Sequence, residues 1–303
     1  MFNYLVIPVL RVSEIAIIFN VEYRLIHISE NAFNELGTLL TRRYGIKLPP
    51  EKKIMFQSRL QSRLRELKIN SFEEYAQYVK SPVNSNTELG KMIEYISTNK
   101  TEFFREKQHF DLMLSRILPE IYSRNRQRYR LIRCWSAGCS EGQEAFSMAM
   151  TIEEFMQKKM EAWDYFIVGS DVSGKVLNVA RRGIYPFNQS AFIPSSYLKK
   201  YVLKSRDVRD PKIKIVSSIR SKVTFNYGNL VDSHYGHVNP FNIIFIRNTL
   251  IYFDRKEQIE IIQKVLKYLE DYGYLFVGHS ESLINLEFPL KLVGSSVYQK
   301  VPG

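Results

Sequence analysis

Hydrophobic residues in the first third of the chain recur with the period of a helix. Over residues 29–97 the apolar positions lie three or four residues apart, and no segment alternates as a strand would. Ser29 can cap a first helix that ends near Gly45, and Pro50 can open a second helix over residues 51–68. The apolar face of the first helix is Ala32, Phe33, Leu36, Leu39 and Leu40. The pattern predicts a small all-α domain.

In the rest of the chain, short continuous runs of apolar residues occur alongside the helical spacing. The runs predicted to be buried strands are 130–135, 165–170, 241–246 and 272–279. Amphipathic segments separate them, including one at 254–270 that Asp254 can cap. Strands that alternate with helices form a parallel sheet that binds ligands at the carboxyl ends of its strands. We therefore predict a doubly wound, mostly parallel, Rossmann-like α/β domain after the helical one.

One stretch, at about residues 189–223, interrupts the alternation of strands and helices. Residues 195–204 are predicted to be helical, and residues 212–216 and 222–225 are predicted to be short strands around a turn. We interpret this stretch as a small β insertion within the second domain.

The first 28 residues are rich in apolar side chains, but Arg11 and Glu14 interrupt them. A membrane span needs about twenty uninterrupted apolar residues, so this segment falls short of one. A secretory signal would need a basic start and a small-residue cleavage site, and neither is visible. We interpret residues 1–28 as an N-terminal extension of unknown role.

Charge and cysteine content narrow the possible binding partners and the cellular compartment of the protein. The chain has 43 basic and 31 acidic residues, a net charge of +12, which favours nucleic acid or an acidic protein surface without separating the two. The two cysteines, Cys134 and Cys139, are too few for a disulfide framework and favour a reducing cytoplasm. No His/Cys cluster accompanies them, so we expect no metal.

The segment 134–144, CWSAGCSEGQE, joins the first predicted strand to a predicted helix through a glycine turn. Gly138 and Gly142 would let a ligand approach the backbone, although such a turn can also be purely structural. Asp171 follows the second predicted strand, where an acid can bind ribose hydroxyls. An alternative role for Asp171 is to cap a helix over residues 173–183.

Five blocks together resemble the CheR family, the chemotaxis receptor methyltransferases that use S-adenosylmethionine. The blocks are 98–106 (TNKTEFFRE), 135–140 (WSAGCS) with Glu144, 169–171 (GSD) with 180–185 (ARRGIY), 247–253 (RNTLIYF) and 278–281 (GHSE). They occur in family order over roughly residues 29–300. The resemblance implies an S-adenosylmethionine-binding domain at 98–303 after the helical domain at 29–97.

The resemblance also implies which residues contact the cofactor. The implied contacts are Asn99, Thr101, Arg105, Glu144, Asp171, Asn229, Leu230, Arg247 and Asn248. Glu144 would meet the cofactor's ammonium group, Asp171 its ribose, and Asn229 and Leu230 its adenine. The chain departs from the family in carrying Glu141, Gln143 and Ala145 where members usually carry Thr, Glu and Pro.

By the same resemblance, Arg105 and Tyr252 lie near the transferred methyl group and are the implied catalytic residues. The expected reaction is methylation of receptor glutamates to methyl esters, with S-adenosylhomocysteine as the second product. A glutamate has a pKa of about 4.3, so it is already a carboxylate at neutral pH and needs no general base. We accordingly expect neither a catalytic triad nor a metal.

Lys52, Arg59 and Arg63 fall on one stripe of the second predicted helix. Such a stripe is usually a solvated face, but the resemblance implies that it contacts the acidic cytoplasmic helices of membrane chemoreceptors. We therefore expect a cytoplasmic monomer that binds receptors, without nucleic-acid binding or membrane insertion. The alternatives are a methyltransferase of the same fold with another substrate, and an inactive cofactor-binding signalling adaptor.

Overall fold

The computed structural model describes residues 25–96, 101–125, 130–159, 162–284 and 286–302. Most of the predicted N-terminal extension, and the predicted cofactor contact Asn99, therefore lie outside the described residues. No helix within the described ranges is long and apolar enough to cross a membrane.

The amino-terminal part of the described chain is all-α, as the sequence predicts. Its helices are α1 (Glu30–Tyr44), α2 (Lys53–Leu67), α3 (Phe72–Lys80) and α4 (Ser85–Ile96). The helix α1 begins where the Ser29 side chain accepts a hydrogen bond from the backbone N–H of Ala32, and it ends at Gly45, whose φ is 71°. A 3-10 turn over Pro50–Lys52 leads into α2.

The core of this domain is formed by the apolar faces that the sequence pattern identifies. Leu36 and Leu40 of α1 and Leu60 and Leu64 of α2 are fully buried. They belong to one hydrophobic cluster that also contains residues of α3 and α4. The helices are therefore held mainly by burial of these faces, as is usual for short helices.

The second part of the described chain contains two sheets. Their strands are β1 (Leu131–Ala137), β2 (Asp164–Asp171), β3 (Ile184–Pro186), β4 (Val202–Lys204), β5 (Lys212–Ile215), β6 (Val223–Tyr227), β7 (Phe241–Ile246), β8 (Leu269–Val277), β9 (Leu290–Gly294) and β10 (Val297–Lys300). The large sheet has the order β6-β2-β1-β7-β8-β10-β9, and only β10 runs antiparallel to its neighbours β8 and β9. The predicted fold class is confirmed.

Helices flank this sheet and connect its strands. They are α5 (Lys107–Leu112), α6 (Leu118–Asn125), α7 (Gln143–Met156), α8 (Gly174–Arg182), α9 (Ser195–Tyr201), α10 (Ser217–Arg220) and α11 (Arg255–Lys267). The order of the parallel strands reverses at β1, which pairs with β2 on one side and β7 on the other. In doubly wound sheets this switch point is where ligands bind.

The small sheet differs from the predicted insertion. It has the order β3-β5-β4 and so spans residues 184–215. Residues 222–225, predicted to be one of its strands, instead belong to β6, which pairs with β2 in parallel at the edge of the large sheet. The physical reason is that Val223 and Phe225 are buried, and the Phe225 ring packs 5.5 Å from that of Phe146 on α7.

Candidate cofactor and active site

A cavity of ≈ 490 Å³ opens at the carboxyl ends of β1, β2 and β7, within the usual size range of small-molecule sites. Its second-domain lining includes Thr101, Glu102, Arg105, Phe110, Gly138, Cys139, Ser140, Glu144, Asp171, Val172, Gly228, Asn229, Leu230, Arg247, Asn248, Thr249, Ile251, Tyr252 and Phe253. The helical domain contributes Tyr44, Ile46, Lys52, Met55 and Ile96. The cavity therefore lies between the two domains and at the switch point of the sheet.

The glycine turn after β1 forms one wall of the cavity. Gly138 has a φ of +78°, and a Cβ there would come within 2.4 Å of the Thr249 hydroxyl, so no other residue fits without displacement. The backbone N–H groups of Gly138 and Cys139 donate to the carbonyl of Ser170 at 2.8 and 2.9 Å, which fixes the turn to β2. The hydroxyl of Ser140 is buried in this wall without a partner among the described residues, so a ligand could bind it.

Asp171 ends β2 beside this turn and lines the cavity. Its carboxylate accepts hydrogen bonds from the backbone N–H groups of Ser140 and Ser173, each at 2.9 Å. The helix α8 is capped by the side chain of Ser173, so the capping role considered for Asp171 falls to that serine. Burial raises the pKa of Asp171, and the backbone hydrogen bonds oppose this effect.

Glu144, in the first turn of α7, is a second carboxylate of the cavity lining. One of its oxygens accepts from the Ser136 hydroxyl at 2.6 Å, and the other lies 3.1 Å from Nη1 of Arg247. Burial raises the pKa of Glu144, whereas the positive charge of Arg247 lowers it. The structure thus brings together two residues that were each predicted to contact the cofactor.

Arg247 extends this ion pair to Glu106, which no sequence argument assigned to the site. Nη2 of Arg247 lies 3.0 Å from Oε2 of Glu106 and donates to the carbonyl of Arg105 at 2.6 Å. The side chain of Arg247 is only 1% exposed. Its guanidinium therefore links both carboxylates to the segment that carries Arg105.

Two histidines complete this cluster, and their positions bear on whether it could hold a metal. Nδ1 of His109 and Nε2 of His279 lie 3.4 and 3.7 Å from the same Glu106 oxygen, and the three side chains could supply a metal's ligands. Arg247 already places a positive charge at that oxygen, however, and a second cation would be repelled. The expectation that the protein uses no metal stays a prediction.

Glu281 is a buried carboxylate that organises the loop after β7. It accepts hydrogen bonds from the backbone N–H groups of Asn248 at 2.7 Å, Gly278 at 2.8 Å and Ile251 at 3.2 Å. Asn248 has a φ of 56°, an uncommon backbone conformation that these bonds help to hold. The block 278–281 signalled this residue in the sequence, but no role was predicted for it.

Tyr252 follows this loop and meets both domains. Its ring lies 5.6 Å from the ammonium group of Lys52 on the helical domain. Burial raises the pKa of Tyr252, and the nearby charges of Arg59 and Arg105 counteract part of that effect. The two predicted catalytic residues, Arg105 and Tyr252, therefore lie in the same electrostatic environment and line the same cavity.

Asn229 and Leu230 form the wall expected to face adenine. Asn229 is 2% exposed, and its side-chain amide donates to the backbone carbonyl of Arg43 at 3.0 Å, across the domain boundary. Its amide oxygen accepts from the backbone N–H of Val231 at 3.3 Å. The loop that carries both predicted contacts is thus bound to the end of α1.

The predicted basic stripe of α2 is not a uniform exposed surface. Arg63 forms a bidentate ion pair with the buried Glu88 at 2.8 and 2.6 Å, and Tyr75 donates to the same carboxylate. Arg59 donates to a backbone carbonyl at the end of α4. Of the three residues of the stripe, Lys52 is the one in the cavity lining.

The mostly parallel sheet, with its antiparallel strand β10 between β8 and β9, and the cavity at its switch point define a Rossmann-like, ligand-binding α/β domain. Residues 99–299 match the family described as "CheR methyltransferase, SAM binding domain". Residues 31–97 match its "CheR methyltransferase, all-alpha domain". The chain belongs to the CheR family.

Curated relatives resemble the chain over most of its length. It is 36% identical over 269 residues to the chemotaxis protein methyltransferase of Borreliella burgdorferi, covering 87% of this chain and 93% of that one. It is 33% identical over 271 residues to the chemotaxis protein methyltransferase of Escherichia coli, covering 89% and 91%. It is 32% identical over 274 residues to chemotaxis protein methyltransferase 2 of Pseudomonas aeruginosa, covering 90% and 94%. The chain is an S-adenosylmethionine-dependent methyltransferase.

Proposed function

We propose that the protein transfers a methyl group from S-adenosylmethionine to glutamate side chains of chemotaxis receptors, giving methyl esters and S-adenosylhomocysteine. The observation that carries this proposal is the division of charge in the cavity. Glu144, paired with Arg247, and Asp171 place two carboxylates in one part of the lining, whereas Arg105, Lys52 and Tyr252 bring two further positive charges and a phenol. The relatives' name, chemotaxis protein methyltransferase, supports a receptor as the substrate.

The residues of the cavity suit the proposed cofactor. Glu144 would bind its ammonium group, Asp171 its ribose hydroxyls, and Asn229 with Leu230 its adenine, while the unpartnered hydroxyl of Ser140 offers a further polar contact. When bound, S-adenosylmethionine supplies a methyl group whose bond to a cationic sulfur breaks as a substrate carboxylate attacks, leaving the electron pair on sulfur.

The chain's own contribution is to orient the substrate carboxylate. Burial raises the pKa of Tyr252, so its hydroxyl stays protonated and can donate a hydrogen bond to an incoming glutamate. The guanidinium of Arg105 can attract the same group. Because the glutamate is already ionised, these residues need only align it, and alignment can lower a barrier by up to about 7–11 kcal/mol.

The same lining favours an acidic partner. Lys52 lies over Tyr252 and is the member of the basic stripe best placed to meet substrate. Arg59 adds positive charge near Tyr252, whereas Arg63 is offset by Glu88. The proposed partners are the acidic cytoplasmic helices of membrane chemoreceptors, and a monomer acting in the cytoplasm remains part of the proposal.

The test is to incubate the protein with methyl-tritiated S-adenosylmethionine and membranes that contain or lack chemoreceptors. Label should enter the receptor band and leave as volatile methanol after mild alkali, since carboxyl methyl esters are base-labile. Alkali-stable label, or label in added nucleic acid, would contradict the proposal and favour another substrate. Binding of S-adenosylhomocysteine without any methyl transfer would favour the inactive adaptor.

A further inference from the structure

Lys264 lies on α11 and outside every motif that identified the cavity. Its ammonium group donates to three consecutive backbone carbonyls, those of Leu230 at 3.0 Å, Val231 at 3.0 Å and Asp232 at 2.9 Å. An ammonium group has three N–H donors, so these bonds can use all of them. Within the described residues, Lys264 forms no ion pair with a carboxylate.

The three carbonyls belong to a loop, where no helix or sheet supplies hydrogen-bond donors. Backbone carbonyls removed from water need a partner, and unpaired ones are costly; this applies most to Leu230, which is buried, and least to Asp232, which is exposed. Tyr235 assists by donating to the carbonyl of Leu230 at 2.8 Å, and its ring lies 5.7 Å from the Lys264 ammonium. The loop is therefore held by one charged side chain from α11 and by one phenol from the chain segment that follows the loop.

This loop forms the cavity wall that we assign to adenine. Asn229 and Leu230 line the cavity, and the neighbouring Gly228 donates its N–H to the carbonyl of Asp171 at 3.1 Å. Asn229 also donates to the carbonyl of Arg43. A shift of the loop would thus move the adenine wall and disturb the backbone beside the proposed ribose-binding acid.

We infer that Lys264 is a positioning residue, which fixes residues 229–232 and thereby sets the affinity and base selectivity of the adenine end of the cofactor site. The inference rests on the proposed placement of the cofactor. Lys264 does not line the cavity, so it acts through the loop and not by contact with the ligand.

The test compares Lys264→Met with Lys267→Met, a matched control three residues on at an exposed position of the same helix. Methionine keeps an unbranched apolar side chain but donates no hydrogen bond. Calorimetry with S-adenosylhomocysteine should show Kd raised by about tenfold or more in Lys264→Met, the scale expected when charged hydrogen bonds are lost. The Lys267→Met control should bind as the wild type does.

Two further measurements separate positioning from general stability. The preference for S-adenosylhomocysteine over S-inosylhomocysteine, which differs in the base, should shrink in Lys264→Met. The kcat at saturating cofactor should change much less than the cofactor KM. Lys264→Gln keeps a neutral hydrogen-bond donor and should bind S-adenosylhomocysteine with intermediate affinity. It replaces Lys264→Met in the test if the methionine variant does not fold.

The outcomes distinguish this inference from the proposed function. If the wild type does not bind S-adenosylhomocysteine, the proposed placement of the cofactor is itself wrong. A wild type that binds it, with folded Lys264→Met and Lys264→Gln variants of unchanged affinity and base preference, would overturn only the role of Lys264. A lowered melting temperature with unchanged affinity would show that the residue is merely structural.

Discussion

The carboxylate of Glu144 lies 3.1 Å from the guanidinium of Arg247, and Arg247 in turn lies 3.0 Å from Glu106. Two carboxylates thus share one guanidinium, which leaves this group of three with a formal charge of −1. The ammonium group of the proposed cofactor would neutralise that charge. Arg247 then serves to hold Glu144 in place as much as to touch the ligand itself.

Glu144→Gln should weaken S-adenosylhomocysteine binding by about 1–3 kcal/mol, because the neutral amide keeps the shape but loses the charge. Isothermal calorimetry measures the change directly. Glu260→Gln, on an exposed position of α11, is the control and should bind normally. Equal affinity in the folded Glu144→Gln protein would remove Glu144 from the ammonium site.

Tyr252→Phe should lower kcat for receptor methylation by at least about tenfold while leaving S-adenosylhomocysteine affinity nearly unchanged. The reason is that the phenol is proposed to orient the substrate carboxylate, an interaction made on the way to the transition state. Single-turnover labelling together with calorimetry tests both parts. Normal turnover would make Tyr252 a structural residue.

Glu281→Gln should lower turnover through the loop that carries Asn248 and Tyr252. Its amide group cannot accept all the backbone N–H donors that the carboxylate accepts, so about 1–3 kcal/mol of folding stability should also be lost. Thermal unfolding and kcat should be measured on the same preparation. Full activity with lowered stability would show that the loop tolerates the change and that Glu281 supports the fold alone.

Arg63→Ala should lower the free energy of unfolding by about 3 kcal/mol, because the buried Glu88 would lose its bidentate partner. Lys52→Ala should instead raise the KM for receptor with little change in stability, and wild-type KM should rise with salt as charges are screened. Denaturant unfolding and methylation over a salt series distinguish these effects. A receptor KM unaffected by Lys52→Ala would exclude this lysine from substrate binding.

As the pH is lowered, S-adenosylhomocysteine binding should weaken at a higher pH than it would if the binding carboxylates had ordinary pKa values. Burial raises the pKa of Glu144 and of Asp171, so both take up a proton at a higher pH than a solvated carboxyl group, and each must be ionised to bind its end of the cofactor. Affinity should therefore fall, as the pH is lowered, at a higher pH than the ordinary pKa of a carboxyl group would produce. Calorimetry between pH 4 and 8 tests this, and an affinity that falls only near the ordinary carboxyl pKa of about 4 would contradict it.

The sequence predicts the order of the main helices and strands because the periodicity of apolar residues directly reflects which side chains are buried. The strand predicted at 241–246 matches β7, and Ser29 and Gly45 bound α1 as expected. The residues 222–225 show the limit of this reasoning. A short alternating run suits either the small sheet or the edge of the large one, and only the packing of Phe225 against Phe146 decides between them.

The site is harder to predict where charged side chains bind backbone groups or partners that are distant in the sequence. Lys264 contacts a loop more than thirty residues away, and neither its spacing nor its neighbours signal that contact. Arg63 shares a stripe with Lys52, yet it pairs inward with Glu88 because α4 packs against α2. Periodicity places a residue on a helix face, but it does not reveal which carboxylate lies opposite.

The contacts between the two domains limit which helical domains from related proteins could replace that of this enzyme. Gly45 is so close to Val231 and Phe253 that a Cβ would come within 2.4 and 2.9 Å of them, and Lys47 pairs with Asp254 at the start of α11. A chimaera with the helical domain of another CheR protein would need compatible residues at both contacts. Without them the foreign domain would displace Phe253 and the loop that contains Asn229 and Leu230, all of which line the cavity, even if each half folded well.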